Sequence, residues 1–330
     1  DLGDDEDGPI SVGVLDRGLL PDSTIAVNQP VPEPSAVDSR LDARRVRAAI
    51  VSILRTAAEE GDSLLAEREV LGRMGRVSLS HPCSVTRDWL QANEGFLSDV
   101  VERLKISMSN PGAEEPGGQV SLAALQLAEL KQREERLRKV LRARAAKPLP
   151  STGATWSELI VDSIERRGGT YDPDNSRHVA ALKEQAAALE RITTRKLSAL
   201  VGRAGTGKTS ALGALMLCEP IAKGGVLLLA PTGKARVLLG KATGSEAMTV
   251  AQFLYGLGRY DGTRQRPLFE GQKKHHKERT VVIDESSMLT MDDLHAVLEA
   301  LDQVHVQRVI LVGDPNQLPP IGVGRPFADL

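Results

Sequence analysis

The sequence predicts an α/β protein, in which a doubly wound parallel sheet follows a mainly α-helical amino-terminal domain. Apolar runs alternate with helical stretches beyond residue 150, whereas helical periodicity dominates the region before it. The runs lack the polar alternation of a half-exposed strand, as is typical of parallel strands buried on both faces. The four runs are SALV (198–201), GVLLLA (225–230), TVVID (280–284) and VQRVILVG (306–313).

The length of 330 residues is enough for about two domains. Residues 1–37 are predicted to be a flexible acidic leader, because residues 1–38 hold nine acidic side chains against Arg17 alone and few apolar ones. We place the helical domain at 38–150 and the α/β domain at 151–330, divided near the Pro- and Gly-containing stretch KPLPSTG.

The helical domain is predicted from periodicity. Val46, Ile50, Ile53, Leu54 and Ala57 recur at the spacing of one helix face. The further elements expected here are helices at 64–74, at 85–92 with a cap at Ser84, at 96–104 and at 121–146, and a loop at 110–119.

Composition excludes several classes of protein. No uncharged apolar stretch approaches the roughly 20 residues that span a bilayer, and the acidic start DLGDDEDGPI is unlike a secretory signal, so we expect a cytoplasmic protein without a membrane segment. Cys83 and Cys218 lie far apart without metal-ligand spacing, which argues against a disulfide framework or a zinc site. Because the chain does not begin with Met, we expect it to be a segment of a longer polypeptide.

The strongest motif is GRAGTGKT, which fits the pattern GxxxxGK[ST] and lies between the predicted strand SALV and the helical stretch SALGALML. Its glycines let backbone amides and a helix N-terminus turn toward a phosphate, while Lys208 adds a charge and Thr209 a hydroxyl for Mg²⁺. We therefore expect ATP and Mg²⁺ to bind here. The predicted nucleotide-binding residues of the motif are Gly202, Gly205, Thr206, Gly207, Lys208, Thr209 and Ser210.

Two carboxylates follow a second predicted strand, in TVVIDESSML. Nucleotide hydrolysis needs one acidic group to hold the metal and one to activate the attacking water. We assign Asp284 to Mg²⁺ and Glu285 to the water.

A third strand ends in LVGDPNQLPPIGVGRPF, where Gln317 lies in a proline-restricted turn. A neutral carboxamide in a fixed turn can hydrogen-bond the γ-phosphate of ATP and lose that partner after hydrolysis. Gln317 is therefore the predicted phosphate sensor.

Taken in order, GRAGTGKT, APTGKAR (230–236), IDESSM (283–288) and GDPNQLPP (313–320) resemble motifs I, Ia, II and III of RecD-like superfamily 1 DNA helicases. The resemblance covers about residues 180–330 and implies a RecA-like P-loop ATPase domain. It also implies that Gln185, in LKEQAAAL, reads the adenine edge, and that the region before the motor is similar to the winged-helix and linker region of longer RecD-like proteins. The implied catalytic residues are Lys208, Asp284, Glu285 and Gln317.

The resemblance further implies contacts with single-stranded DNA. The APTGKAR loop follows the strand GVLLLA, and loops at strand carboxyl ends are where open α/β sheets present ligands. Ala251 replaces the histidine of the family's TIH motif, which weakens the assignment of its threonine. The basic segment 264–279 has two interpretations, a contact with a phosphate backbone or a solvated insertion. The implied DNA contacts are Pro231, Thr232, Gly233, Lys234 and Thr249.

The implied function is an ATP-dependent DNA helicase or translocase moving 5′ to 3′ on single-stranded DNA, in repair, recombination or replication. Helicases of this superfamily have two RecA-like domains, and this sequence carries only the first motor lobe. We therefore expect weak hydrolysis by the segment alone and a second lobe in the parent chain or in a partner.

Two alternatives remain open. The first is a nucleotide-gated DNA- or protein-binding module of a larger assembly. The second is the helicase half of a conjugative relaxase, which would need an upstream His-rich metal site and a tyrosine nucleophile; the sequence given contains no such pattern.

Overall fold

The computed structural model describes residues 10–37, 39–109, 119–203, 205–271, 277–301 and 305–330. The chain divides into two compact units, Asp1–Gln132 and Arg133–Leu330. The division falls inside helix α7 (Ala128–Ala145), earlier than the boundary we placed at KPLPSTG. The change in composition at KPLPSTG follows the end of that helix, so it marks a helix end.

The first unit combines helices with a three-stranded antiparallel sheet of order β1-β3-β2. Its elements are α1 (Val12–Leu19), α2 (Ser23–Asn28), α3 (Ala43–Glu59), β1 (Leu64–Ala66), α4 (Glu67–Met74), α5 (Arg87–Ala92), α6 (Glu94–Leu97), β2 (Val101–Ser109), β3 (Gln119–Leu127) and the first residues of α7.

The amino-terminal residues differ from the flexible leader that we predicted. Residues 12–19 form α1, and Asp16 on this helix is buried, where it accepts a hydrogen bond from Arg45 Nε at 2.5 Å. Ser80 donates to the same carboxylate from its backbone N and from Oγ, both at 2.7 Å. The acidic residue is a counter-charge for a buried guanidinium, which the charge composition of the segment does not reveal. Residues 1–9 lie outside the described part of the chain.

Two predicted helices are only partly correct, since helix ends at Leu97 in the one predicted at 96–104 and begins only at Ala128 in the one predicted at 121–146. Residues 101–109 and 119–127 are strands, paired from Val101 opposite Leu127 to Ser109 opposite Gln119. The second of them, QVSLAALQL, contains good helix formers, but pairing with a distant segment overrides that local preference. The loop predicted at 110–119 lies, apart from Gln119, outside the described residues.

The amphipathic face predicted for α3 is confirmed. All five of its apolar residues are buried, and Asp42 caps the helix by accepting from Arg44 N at 2.9 Å. The next predicted helix begins with a short strand, β1, before α4. The cap of α5 is Thr86, whose Oγ1 accepts from Trp89 N at 3.2 Å, rather than Ser84.

The second unit is built around a five-stranded parallel sheet of order β4-β10-β9-β5-β6. Its elements after α7 are α8 (Trp156–Glu165), α9 (Ser176–Thr193), β4 (Leu197–Val201), α10 (Lys208–Leu217), α11 (Glu219–Lys223), β5 (Val226–Ala230), α12 (Gly233–Thr243), β6 (Ala247–Thr249), α13 (Val250–Tyr255), β7 (Tyr260–Asp261), β8 (Arg266–Pro267), β9 (Thr280–Ile283), a 3₁₀ turn (Ser286–Met288), α14 (Met291–Ala300) and β10 (Arg308–Gly313).

The predicted parallel α/β fold is confirmed, since all four apolar runs are strands of this sheet. Ile310 and Val312 pack in one core cluster with residues of α8, α9 and α10. Successive side chains of a strand point to opposite faces. Val309 and Leu311 are fully buried as well, so both faces of the central strands are covered. Within the described ranges, no helix combines the length and the apolarity that crossing a bilayer would need.

The ion pair between Asp16 and Arg45 gives a test of the first unit. Changing Arg45 to alanine should lower the free energy of unfolding by about 3–5 kcal/mol, because it leaves a buried carboxylate alone. Urea unfolding followed by circular dichroism measures this. The control is Arg47→Ala, since Arg47 pairs with the largely exposed Asp99 and its loss should cost less than about 1 kcal/mol. Equal losses in the two variants would contradict the assignment.

The same pair should be sensitive to acid. Burial raises the pKa of Asp16, but hydrogen bonds from Arg45 and Ser80 outweigh this and lower it below the ordinary 3.8. A carboxyl group with a lowered pKa in the folded state stabilises the fold fully above its ordinary pKa. The difference between wild type and Asp16→Asn, which has no carboxyl group to titrate, should therefore shrink only as the pH falls below about 3.8, and urea unfolding at several pH values tests this.

Candidate nucleotide-binding site

The motif-bearing loops of the second unit all leave the same edge of the parallel sheet. Val201, the last residue of β4, pairs with Gly313, the last residue of β10. Leu311 of β10 pairs with Ile283, the last residue of β9. The carboxyl ends of parallel strands form the usual ligand-binding edge of an open α/β sheet. The fold therefore gathers there the loops that we predicted to carry the chemistry.

The phosphate-binding motif begins with a tie to its neighbouring strand. Gly202 N donates to Gly313 O at 3.1 Å, extending the β4–β10 pairing by one residue. Gly205 and Gly207 have φ of 80° and 86°, values that favour glycine. Ala204 lies outside the described residues.

Gln185 on α9 packs directly against this loop. Its Nε2 donates to Thr206 O at 3.2 Å, and a Cβ added to Gly207 would lie 2.2 Å from the same nitrogen. Two residues assigned from separate motifs are thus neighbours. The Gln185 carboxamide fits here because residue 207 is a glycine and has no side chain.

Lys208 begins α10 and turns back over its own loop. Its ammonium donates to Gly202 O and, at 3.1 Å, to Arg203 O. Thr209 is exposed on the first turn of the helix. Ser210 Oγ accepts a hydrogen bond from Arg167 at 2.5 Å, and Ser210 O accepts one from Ser163 Oγ at 3.1 Å.

Asp284 follows β9, and the charge of Lys208 acts on its carboxyl group. Burial is the main reason that the pKa of Asp284 is raised above its ordinary value. The neighbouring charge of Glu285 raises it further, whereas the Glu285 N–H, which donates to Asp284 Oδ1 at 2.9 Å, and the Lys208 ammonium lower it. The ionised Asp284 carboxylate therefore has too few favourable partners, and a bound cation would stabilise it.

Glu285 has a strained backbone and an unpaired oxygen. Its φ of 50° lies in the left-handed region, which costs a residue with a side chain about 1–3 kcal/mol. In the described part of the chain, its buried Oε2 has no hydrogen-bond partner. Both features are typical of a functional carboxylate, because a purely structural one would relax.

Gln317 lies in the turn beyond β10, on the strand next to the phosphate-binding loop. Asp314 shapes the turn: its Oδ1 accepts from Asn316 N at 3.0 Å and its backbone O accepts from Gln317 N at 3.1 Å. Among the described residues, the Gln317 carboxamide makes no hydrogen bond of its own. In the part of the chain that the structure describes, no hydrogen bond joins Gln317 to Lys208 or Asp284, so these residues share one edge of the sheet without pairing.

The predicted DNA-contacting residues lie at the ends of the next two strands. Thr232 caps α12 by accepting from Ala235 N at 3.2 Å, and the adjoining Gly233 and Lys234 are exposed. Pro231, which directly follows β5, is partly buried. The loop thus presents a backbone and one cation to solvent.

Thr249 ends β6 opposite Ala230 of β5 and caps α13. Its Oγ1 accepts from Gln252 N at 3.0 Å, and Gln252 Oε1 accepts from Thr249 N at 2.9 Å. This reciprocal capping box already uses the hydroxyl, so a helix cap explains Thr249 without a ligand. Of the basic segment 264–279, residues 272–276 lie outside the described part.

Sequence reasoning missed three residues near this edge. Ser163 of α8 and Arg167 in the turn after this helix hold Ser210, but no local pattern links either residue to the motif. Ser287 Oγ is buried without a partner in the described chain, and Ser287 N lies 3.0 Å from where a Gly313 Cβ would be. The sequence signal that could have indicated Ser287 is the pair of serines that follows the two carboxylates in IDESSM.

The donor set fits a nucleotide with Mg²⁺. Gly205 and Gly207 have the positive φ values of a loop whose amides can turn toward a phosphate, and an ammonium and a hydroxyl lie at the helix start. Asp284 is a hard oxygen ligand with a raised pKa, the group that a divalent cation would stabilise. Thr209 and Asp284 are the residues that would hold the cation.

Replacing Gly207 with alanine should weaken nucleotide binding, because the positive φ would be strained and the new Cβ would displace the end of the Gln185 side chain. Titration with a fluorescent ATP analogue measures this. Gly233→Ala is the matched control, since a Cβ there meets no atom within 4 Å. Unchanged affinity in the Gly207 variant would contradict the proposed role of this loop in nucleotide binding.

Asp284→Asn should stabilise the fold while weakening Mg²⁺-dependent nucleotide binding. A raised pKa means that the ionised carboxylate opposes folding at neutral pH, so its removal should add up to about 2 kcal/mol to the free energy of unfolding. The gain should vanish below the ordinary pKa of aspartate, where both states are protonated. Urea unfolding at pH 7 and at pH 3.5 tests this, and a loss of stability at pH 7 would contradict it.

Comparison with known proteins adds family relationships. The AAA domain family matches residues 181–330. An uncharacterised protein of Methanocaldococcus jannaschii is 24% identical over 87% of this chain and 25% of its own length. The RecBCD enzyme subunit RecD of Mycolicibacterium smegmatis is 33% identical over 52% of this chain and 34% of its own. The ATP-dependent RecD2 DNA helicase of Deinococcus radiodurans is 31% identical over 60% and 24%, respectively. The chain thus spans about a quarter to a third of these relatives.

Proposed function

We infer the function from one premise: residues 181–330 are a RecD-like superfamily 1 helicase motor domain. We propose that the chain is the first motor lobe of an enzyme that couples ATP hydrolysis to movement along single-stranded DNA, in the 5′ to 3′ direction. One observation supports the proposal: the loops that carry Lys208 and Asp284, 76 positions apart in the sequence, leave the same carboxyl edge of a parallel sheet. This is the arrangement that phosphoryl transfer from ATP requires.

The phosphate-binding loop would hold the β- and γ-phosphates of ATP. Its backbone amides and the start of α10 offer positive partial charge to the anion. Lys208 would exchange its bonds to Gly202 O and Arg203 O for phosphate oxygens. Mg²⁺ held by Thr209 and Asp284 would neutralise charge on those oxygens.

Glu285 would act as the general base. Its buried, unpaired Oε2 is the atom able to accept a proton from the attacking water. The backbone of Glu285 is strained at this position, and its charge acts on the neighbouring Asp284. Gln317, held by the Asp314 turn, would report whether the γ-phosphate is present.

Recognition of the adenine edge is proposed for Gln185. The hydrogen bond from Gln185 to Thr206 O keeps the carboxamide at the phosphate loop, and its acceptor oxygen remains available. Through this hydrogen bond, the phosphate-binding loop would respond to the presence of the adenine base.

DNA is proposed to cross the loops at the ends of β5 and β6. Exposed Gly233 and Lys234 offer a close backbone approach and one phosphate contact. Thr249 is proposed to contribute through the position of α13, since its own hydroxyl is used in the capping box.

A second RecA-like lobe is proposed to complete the motor, in the same polypeptide or in a partner. Arginines supplied in this way contribute about 10³–10⁵ to the rate of phosphoryl transfer, so hydrolysis by the first lobe alone should be weak. The RecD relatives suggest DNA repair or recombination in the cytoplasm as the setting. The competing proposal, a nucleotide-gated binding module, predicts nucleotide binding without DNA-stimulated turnover.

Glu285→Gln should retain ATP binding while turnover falls by about 10²–10⁴, because the general base is lost and the shape is kept. Binding is measured on this chain with a fluorescent ATP analogue, and turnover on the protein that carries both lobes, with and without oligothymidylate. The exposed Glu59→Gln is the control and should change neither. Unchanged turnover would remove Glu285 from its role, and turnover indifferent to DNA in the wild type would favour the binding module.

A further inference from the structure

The second unit has a second polar cavity, at the edge of the sheet opposite the nucleotide loops. Its volume is about 520 Å³, and it lies where β9 begins at Thr280 and β10 begins at Arg308. At about 3.3 Å per residue, β10 separates it from the carboxyl edge by about 17 Å. We call it the basal pocket, lined by Ile221, Lys223, Lys277, Arg279, His305 and Arg308.

Arg308 is the unusual member of the basal pocket. It is 8% exposed, and its Nε donates to Thr193 O at 2.8 Å, at the end of α9. Across the described residues, no carboxylate lies within ion-pair distance of it, and its two terminal nitrogens make no hydrogen bond. Burial accordingly lowers the pKa of this guanidinium. These terminal nitrogens are not among the fully buried atoms that lack a partner, so they open to the cavity. Because the rest of the guanidinium is desolvated, an anion in the cavity would stabilise its charge.

The other charges around the pocket do not supply that anion. Among the described residues, no Asp or Glu lines it. Lys223 is paired with Glu219 at 2.5 Å, but both side chains are about three-quarters exposed and the pair is weak. Glu278 packs against Gly225, with its Cγ 3.5 Å from where a Gly225 Cβ would be. In the described chain, Lys277 and Arg279 form no ion pair and remain exposed.

The two sides of the pocket are held together by main-chain contacts. The His305 ring lies 3.3 Å from Lys277 O, and Gln307 N donates to Arg279 O at 2.8 Å. These contacts hold the backbone of Lys277 and of Arg279 in place, while both side chains stay exposed. The pocket presents a buried guanidinium at its base and exposed cations at its rim, which suits a phosphate more than a carboxylate-bearing side chain.

We propose that the basal pocket binds a phosphate group, supplied by the backbone of a nucleic-acid strand. The pocket is open and larger than one phosphate, so it admits a diester that continues past it. The site goes beyond the proposed motor function, because it lies away from the ATP loops and from the loops assigned to DNA. Free inorganic phosphate shares the chemistry and is the alternative source.

The test reverses the rim charges with the double variant Lys277→Glu, Arg279→Glu. Binding of labelled oligothymidylate is followed by fluorescence anisotropy at several salt concentrations. We expect about a tenfold loss of affinity and a salt dependence whose slope is smaller by about 1.4, since each lost single-strand phosphate contact removes about 0.7. The charge-matched control is Arg40→Glu, Arg68→Glu, two exposed positions of the first unit.

Calorimetric titration with inorganic phosphate separates the two sources. A loss of phosphate binding with DNA affinity unchanged would assign the pocket to free phosphate. If the double variant matches the control in both titrations, the basal pocket is not an anion site and the proposal fails. Arg308→Gln adds an independent arm: it should lose the anion without losing the fold, whereas a structural guanidinium would destabilise it.

ATP-analogue binding is measured on the same variants and should be unchanged. Loss of the basal site with ATP binding intact thus leaves the proposed motor function standing. Conversely, failure of the Glu285 experiment would leave the basal site untouched.

Discussion

The pairing of β4 with β10 is the constraint on which the nucleotide site depends. It sets Val201 opposite Gly313 and continues into the bond between Gly202 N and Gly313 O, so the phosphate loop and the Gln317 turn leave the sheet together. A slip of two residues would move one loop about 7 Å along the other. Gly313 itself admits no side chain, because a Cβ there would lie 3.0 Å from Phe327 and from Ser287 N. Close packing beneath the turn thus fixes the register above it.

Unfavourable local states accumulate at the carboxyl edge. Asp284 has a raised pKa, Glu285 has a left-handed φ and a partnerless oxygen, and Lys208 bonds only to carbonyls of its own loop within the described residues. Binding of a polyphosphate or a divalent cation would give each of these side chains a more favourable partner. Strain of this kind persists only where the surrounding fold over-determines it, and here the fully buried strands β9 and β10 supply that rigidity. The stability of the sheet is therefore what keeps the residues of the nucleotide site in these unfavourable conformations and environments.

The second unit could be predicted well from sequence because its strands are local apolar runs and its loops carry contiguous motifs. The first unit could not, since β2 and β3 pair across a distance and QVSLAALQL has the local composition of a helix. The same limit applies within the site. Gln185 was found through its resemblance, whereas Arg167 reaches Ser210 from 43 positions away and no spacing rule predicts it. Arg308 was hidden likewise, because a cation inside a strand looks like an ordinary solvent-facing residue until its burial is known.

The docking of α1 through Asp16 has a practical consequence for work on this chain. A designer reading the acidic, proline-containing start as dispensable would trim the clone to begin near residue 40. Such a shortened product would lack all of α1, including its cap Ser11. It would also lack Asp16, which is the one carboxylate that pairs with Arg45 among the described residues. Poor yield or aggregation of that product would then reflect the choice of cloning boundary. Expression work should retain the segment from Ile10 onward.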